Sequence, residues 1–471
     1  MTPKSLPRDA FELFRSHFDQ LLNPNHALVI LADQIDWRRF DAAFADCYCP
    51  DNGAPGKAIR LMVGLHYLKY TFNESDESVV ARWVENPYWQ YFCGYTHMQH
   101  ECPLHPTALV KWRKRVGSDR LAELVRETIA LAVREKHLPK KDLGQINVDT
   151  TVQEKNITHP TDTKLLYRCI VKLVAAAKRR GIVLRQSYVR VGKRAAIKAS
   201  RYAHAKQFRR MRRELRFLRT RVGRLIRDIK RKAPAVDNEL AVLLERVDRI
   251  RRQQPKDKNK LYSLHEPEVR CISKGKAHKR YEFGQKVSVA TTNRSNWFVA
   301  AELMAGNPYD GHTLAATMAT VEANTGIAVQ DAYVDRGYRG HDYKGPAAVH
   351  VAGSSKRKLT RSERKRRRRR SAVEPKIGHA KTDHRMDRCF LQGLAGDAIN
   401  AILAAAGANL RKLLNLLYFA LTECGIVLFE HPRTPLAWLR RPTWQYSHPR
   451  QTVRRRPSWL SITPDSYHPA A

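Results

Sequence analysis

Three acidic residues far apart in the chain, Asp149, Asp335 and Glu374, are of the type that holds divalent cations over a phosphate. Asp149 sits in the strand-like run QINVDTTV, Asp335 ends the short strand-like run Ala332–Asp335, and Glu374 opens a helical segment. Two acids on neighbouring strand ends and one on a helix packed across them can converge. Their hard oxygens suit Mg²⁺ or Mn²⁺, which keep several waters and take phosphate oxygens as further ligands. Two such ions roughly 4 Å apart would activate an attacking oxygen and stabilise a leaving one. Each acid also has an ordinary explanation. A strand-end Asp often caps a turn, and a Glu near a helix start favours the macrodipole.

The surroundings of Glu374 are basic. Arg366, Arg370, Glu374, Gly378 and Lys381 follow at offsets of four, four, four and three, one face of a helix that extends back far enough,. Arg370 would favour the ionised carboxylate, and Lys381 could grip a phosphate. Gly378 either admits a substrate backbone or packs on a neighbouring helix. The run from Lys356 to Arg370 holds eleven basic residues and one acid. Such blocks are normally solvated, but this one leads into the Glu374 segment and is expected to clamp a polyanion there. The whole chain agrees, with 86 Lys and Arg against 45 acids and a net charge of +41 over 471 residues. An enzyme for neutral metabolites has no reason to bear that self-repulsion, whereas DNA relieves it and releases counterions. No apolar run reaches the roughly 18 residues of a membrane span, and Met1 to Asp19 is too polar for a signal peptide. Eight scattered cysteines fit free thiols in the cytoplasm,. Cys93, His97, His100, Cys102 and His105 crowd together without paired zinc-ligand spacing, and Pro103 and Pro106 mark a loop there, so no zinc site is expected.

Four regions are expected to position these residues. Residues 1–140 read as an all-α N-terminal DNA-binding domain. In it Pro106 and Thr107 open a helix whose Lys111, Arg113 and Arg115 are candidate DNA contacts,. Residues 141–160 and 261–415 give strand, two strands joined by Asn-Arg-Ser-Asn, helix, strand, strand and helix. That order fits an α/β RNase H-like catalytic core with a mixed sheet flanked by helices. Residues 161–260 interrupt it as a basic helical insertion. There Phe208, Met211, Leu215, Leu218, Val222, Leu225 and Ile229 alternate by three and four,. Pro234 breaks the run, and Leu240, Leu243, Val247 and Ile250 repeat it, predicting an antiparallel hairpin that closes on itself. The outer face, with Arg209, Arg213 and Arg216, has thirteen cations against two acids between Lys206 and Lys232, which suits DNA. Residues 416–471 read as a helix end and a basic tail.

Several long stretches carry a family likeness. VDTTVQEKNITHPTDTKLL (148–166), NPYDGHTL (307–314), VDRGYRG (334–340) and the segment from RSAVEPKIGHAK to NLRKLL (370–414) resemble bacterial insertion-sequence transposases of the DDE class. The insertion-sequence-five branch is the nearest, and the likeness includes ENPYWQYFCG (85–94). The resemblance implies that Asp149, Asp335 and Glu374 are the catalytic acids and hold two Mg²⁺ or Mn²⁺ ions. It further implies that the chain cuts double-stranded DNA at terminal inverted repeats and joins it to target DNA, as a homodimer near the bacterial nucleoid. Arg370, Glu374 and Lys381 keep the family spacing around the Glu, but Arg367 stands where the family has Tyr. That departure touches strand handling rather than the acids. Tyr338 and Arg339 are candidates for contact with the DNA end. Asp310 and His312 are candidate accessory residues, Asp310 otherwise being a helix cap.

Overall fold

The computed structural model describes residues 16–49, 55–233, 237–273, 280–353 and 358–423. The Pro234 break, the start of the basic run at Lys356 and the tail beyond residue 423 lie outside them. Helices α1 (Phe18–Leu21), α2 (Ala27–Gln34), α3 (Trp37–Phe44), α4 (Ile59–Thr71), α5 (Asp76–Glu85), α6 (Pro87–Phe92) and α7 (Thr107–Arg134) make up the N-terminal part. Ser75 and Ser78 cap α5 reciprocally,. Asn86 caps α6, with Pro87 in its first turn,. α4 buries Leu61, Leu65, Leu68, Tyr67 and Tyr70 all round its surface, so it runs through the core. α7 bends at Gly117, where φ is 78°, a conformation that glycine adopts without strain.

The chain then enters β1 (Gln145–Lys155) and leaves it for α8 (Asp162–Arg179), α9 (Val189–His204), α10 (Phe208–Lys232) and α11 (Asn238–Arg252). The sequence predicts a hairpin here that closes on itself; α10 and α11 do pack on each other, but α8 and α9 pack on α10 as well, making four helices with their own core. Leu166, Ile170, Leu173, Leu218, Val222 and Val247 are among its buried residues. α9 was not legible because it packs through Gly192, Ala195 and Ala199, which leave no heptad signal. A side chain at Gly192 would meet Ile170 Cδ1 at 3.0 Å. The α10 seam is covered only toward its C-terminal end: Leu218, Val222, Leu225 and Ile229 are buried, whereas Phe208 is exposed.

The sheet closes with β2 (Arg270–Ser273), β3 (Tyr281–Thr292), β4 (Phe298–Met304), α12 (Leu314–Thr325), β5 (Asp331–Val334) and β6 (Ala348–Val351). After these come α13 (Arg361–Arg369), α14 (Val373–Asp383), β7 (Arg388–Cys389) and α15 (Gly393–Glu423). The path is β2-β3-β1-β5-β6, with β4 on β3 and β7 on β1. β1 runs antiparallel to β3 and parallel to β5, and β5 parallel to β6. This is a mixed α/β core. β2 and β7, four and two residues long, are too short to show periodicity. Successive β1 side chains take opposite faces: Ile146, Val148 and Val152 enter the core, while Asn147 and Gln153 on the other face bind the backbone of Arg369 and Asp397.

α15 ties the two halves together. Asn409 accepts from Phe298 N at 3.0 Å and donates to Phe298 O at 2.8 Å, pinning α15 to β4. On its other side α15 approaches α4 so closely that a Cβ at Gly407 would lie 2.6 Å from Tyr70 backbone carbon. One apolar core therefore runs from Ala27 through Leu65 and Val148 to Leu410. The helical part and the sheet share it across residue 140.

Candidate functional site

Asn147 on β1 is the register partner of Tyr333 on the parallel strand β5. Two residues further on in each case stand Asp149, in the middle of β1, and Asp335, just past the end of β5, so the two acids come level on the same face of the sheet,. Both are half-buried. Asp149 accepts from Thr150 N at 2.7 Å. Asp335 caps the turn that follows, accepting from Gly337 N at 2.9 Å. Gly337 lies close to both acids: a Cβ there would be 3.0 Å from an Asp335 carboxylate oxygen and 3.2 Å from one of Asp310. Two carboxylates thus flank one turn.

Asp310 is not a helix cap. Its carboxylate accepts from Thr150 Oγ1 and from Lys286 Nζ, each at 2.9 Å, which braces the turn after β4 against β1 and β3. The sequence reading missed Thr150 and Lys286. A lysine at the head of the apolar and small-residue run Val287–Thr292 of β3 was the available signal. His312 is exposed, with its ring edge-on to Tyr309.

Glu374 lies in the first turn of α14, which packs near β1. Its side chain is 60% exposed and pairs with Arg370 Nη2 at 3.1 Å. Among the described residues, no three His, Cys, Asp or Glu side chains stand together as a metal-ion ligand set. Asp149 and Asp335 have the donor chemistry for Mg²⁺ or Mn²⁺, but Glu374 does not complete a cage with them. In this arrangement it is an Arg370 partner. The expected single helix from Arg366 to Lys381 is also divided, because a 3₁₀ turn over Arg370–Ala372 separates α13 from α14. Arg366, Arg367 and Lys381 are half-buried, with Arg367 Nη2 3.4 Å from His350 Nδ1.

Two candidates for DNA contact face inward. Arg113 is 2% exposed and grips Asp76 through both Nη atoms, at 2.8 and 2.6 Å. Leu109, Trp112, Arg113 and Val116 share the buried stripe of α7, so Arg113 is turned to the core while Lys111 and Arg115 stay exposed. Tyr338 is fully buried; burial and the nearby Asp149 carboxylate hold its hydroxyl well above the usual tyrosine range. Neither side chain reaches a surface where DNA could lie. Arg339 is exposed beside it, as are Arg209, Arg213 and Arg216 on α10. α9 adds exposed Arg190, Lys193 and Lys198 and contains no acid. Cys93 of the Cys/His cluster is buried against Gly64, and His105 binds the Thr107 hydroxyl at 2.9 Å.

Residues 16–115 match the family described as "Transposase domain (DUF772)", and residues 335–414 match "Transposase DDE domain". The second match spans Asp335 and Glu374, while Asp149 lies between the two. A Rhizobium meliloti protein described as uncharacterized, ORF8 in the nfe locus, is 52% identical over 197 residues, 42% of this chain and 95% of that protein. No solved structure matches the chain.

Proposed function

The chain belongs to one family with the Rhizobium meliloti protein and carries the two domains of an insertion-sequence DDE transposase, and on that premise we propose that it cuts double-stranded DNA at the ends of its element and joins them to target DNA. The observation that carries this reading is the parallel register of β1 and β5, which sets Asp149, mid-strand, level with Asp335 just past the end of β5 on one face of the sheet. The RNase H-like class and the insertion-sequence-five branch belong to the same proposal, as do a homodimer pairing the two ends and a place in the cytoplasm. Among the described residues no helix is long and apolar enough to cross a membrane.

The basic surfaces serve the DNA. Arg209, Arg213 and Arg216 on α10, with the cations of α9, form an exposed face whose charge matches a phosphate backbone, so affinity should fall steeply with salt. Lys111 and Arg115 extend the contact on the N-terminal part. Arg366 to Arg370 and Lys381 bring positive charge to the acid site, where they would orient a phosphate for attack. Mg²⁺ or Mn²⁺, two ions per site, would supply Lewis-acid stabilisation when bound. Glu374 must leave Arg370 to take part, and a DNA phosphate competing for that guanidinium would release it.

The test is product analysis with the full chain, Mg²⁺ and duplexes bearing the ends of its own element. We expect nicked ends with free 3′-hydroxyls, followed by joined products. Cleavage without joining would make the chain a nuclease. Binding without cleavage would make it a non-catalytic DNA-binding protein, the second reading that the Arg370–Glu374 pair favours.

A further inference from the structure

Helix α13 has no obvious reason to be ordered. Seven of its nine residues are Lys or Arg, and none is buried. Like charges at helical spacing repel, and an isolated helix this short is marginal in water. Its N-terminus is secured by a reciprocal cap between Thr360 and Glu363. Its C-terminus lacks a glycine cap, so the last four carbonyls need other donors.

Those donors come mainly from the catalytic sheet. Asn293 Nδ2 donates to Arg366 O at 3.0 Å and also to Asn147 Oδ1 at 2.6 Å. Asn147 Nδ2 in turn donates to Arg369 O at 3.2 Å. Arg370 N serves the carbonyls of Arg367 and Arg368. Just beyond the helix, Asn296 Nδ2 donates to Ala372 O at 3.0 Å. Asn147 and Asn293 are 0% and 2% exposed, so each amide lost from this chain of bonds leaves buried groups unpaired. Asn147 precedes Asp149 by two residues on the same strand face.

We propose that Asn147, Asn293 and Asn296 form an amide latch that holds the arginine helix at a fixed position against the strand bearing Asp149. They are positioning residues: they set the spacing between the guanidiniums that take the DNA backbone and the acid that acts on it. Glu374 follows directly from the latched segment and shares its position. This inference rests on the transposase reading for its functional half only.

Hydrogen exchange of the full chain without DNA tests the latch itself. Asn293→Asp keeps the shape but removes the amide donor. Asn296→Gly removes the side chain, and glycine accepts the positive φ of 58° at that turn,. In either variant the amides of 361–372 should exchange about tenfold faster or more, with α15 and β3 unchanged. At saturating DNA, end cleavage should fall about tenfold while affinity changes little. Unchanged exchange over 361–372 would overturn the latch, and so would an equal rise throughout the chain. Faster local exchange with undiminished cleavage would overturn its positioning role. Absence of end cleavage by the wild type would instead defeat the transposase reading, and wild-type cleavage by Asp149→Ala would mean that the acid site is misassigned; either leaves the exchange result standing.

Discussion

Asp149→Ala is expected to bind element-end DNA as tightly as the wild type and to cleave it about a thousandfold more slowly or worse, the scale on which removal of a single catalytic group is felt. The strand itself should survive. β1 is laddered on both sides, to β3 and β5, and the lost side chain is only half-buried. Single-turnover cleavage, with binding and thermal unfolding measured alongside, separates the outcomes. Slow cleavage with intact binding and melting supports a chemical role. Slow cleavage with a collapsed melting curve would mean that Asp149 serves the fold.

Arg113→Ala is expected to cost about 3–5 kcal/mol of stability, because it breaks a buried ion pair and strands the remaining groups. Asp76 would keep only Lys69, whose Nζ lies 2.8 Å away. His66, whose Nε2 is 3.2 Å from Arg113 Nη1, would lose that neighbour. Burial and then the Arg113 charge lower the His66 pKa from 6.5 to about 3, so the folded ring is neutral. Unfolding lets it take up a proton at mildly acidic pH. The sign follows from linkage: stability from this site is full above pH 6.5 and drains away as pH falls from 6.5 toward 3. Asp76 acts in the same direction lower down. Despite its own burial, Arg113 and Lys69 hold its carboxyl below the usual range, and that contribution is lost as the carboxyl protonates. Denaturant unfolding at pH 7 and pH 5 checks both statements. A wild type equally stable at the two values, or an Arg113→Ala chain as stable as the wild type, would contradict them.

How much of this was legible depended on whether the signal lay in the backbone pattern or in the partner. β1, the β3–β4 hairpin with its Asn-Arg-Ser-Asn turn and the α10 seam are periodic in apolar residues, and they lie where periodicity predicts. α9 is held by small residues, which look like surface in a sequence. Arg113 shows the limit of reading charge by composition. Its spacing with Leu109, Trp112 and Val116 marks the buried stripe, and that period outranks the basic run around it. Asp149 and Asp335 come level through a strand pairing that only the fold supplies, with Asp149 in the middle of β1 and Asp335 just past β5. Asn147, Asn293 and Asn296 carried no signal at all: Asn147 is one polar residue within a strand, and an asparagine near a turn, such as Asn293 or Asn296, usually serves the turn. Their role depends on where α13 docks.

The pairing of Asp149 with Asp335 is tested most directly by end cleavage with Asp335→Asn. Asparagine keeps an oxygen to accept from Gly337 N, as Asp335 does at 2.9 Å, and removes only the charge. The predicted result is normal DNA binding with cleavage lowered about a thousandfold. Cleavage at the wild-type rate would contradict the assignment of this site.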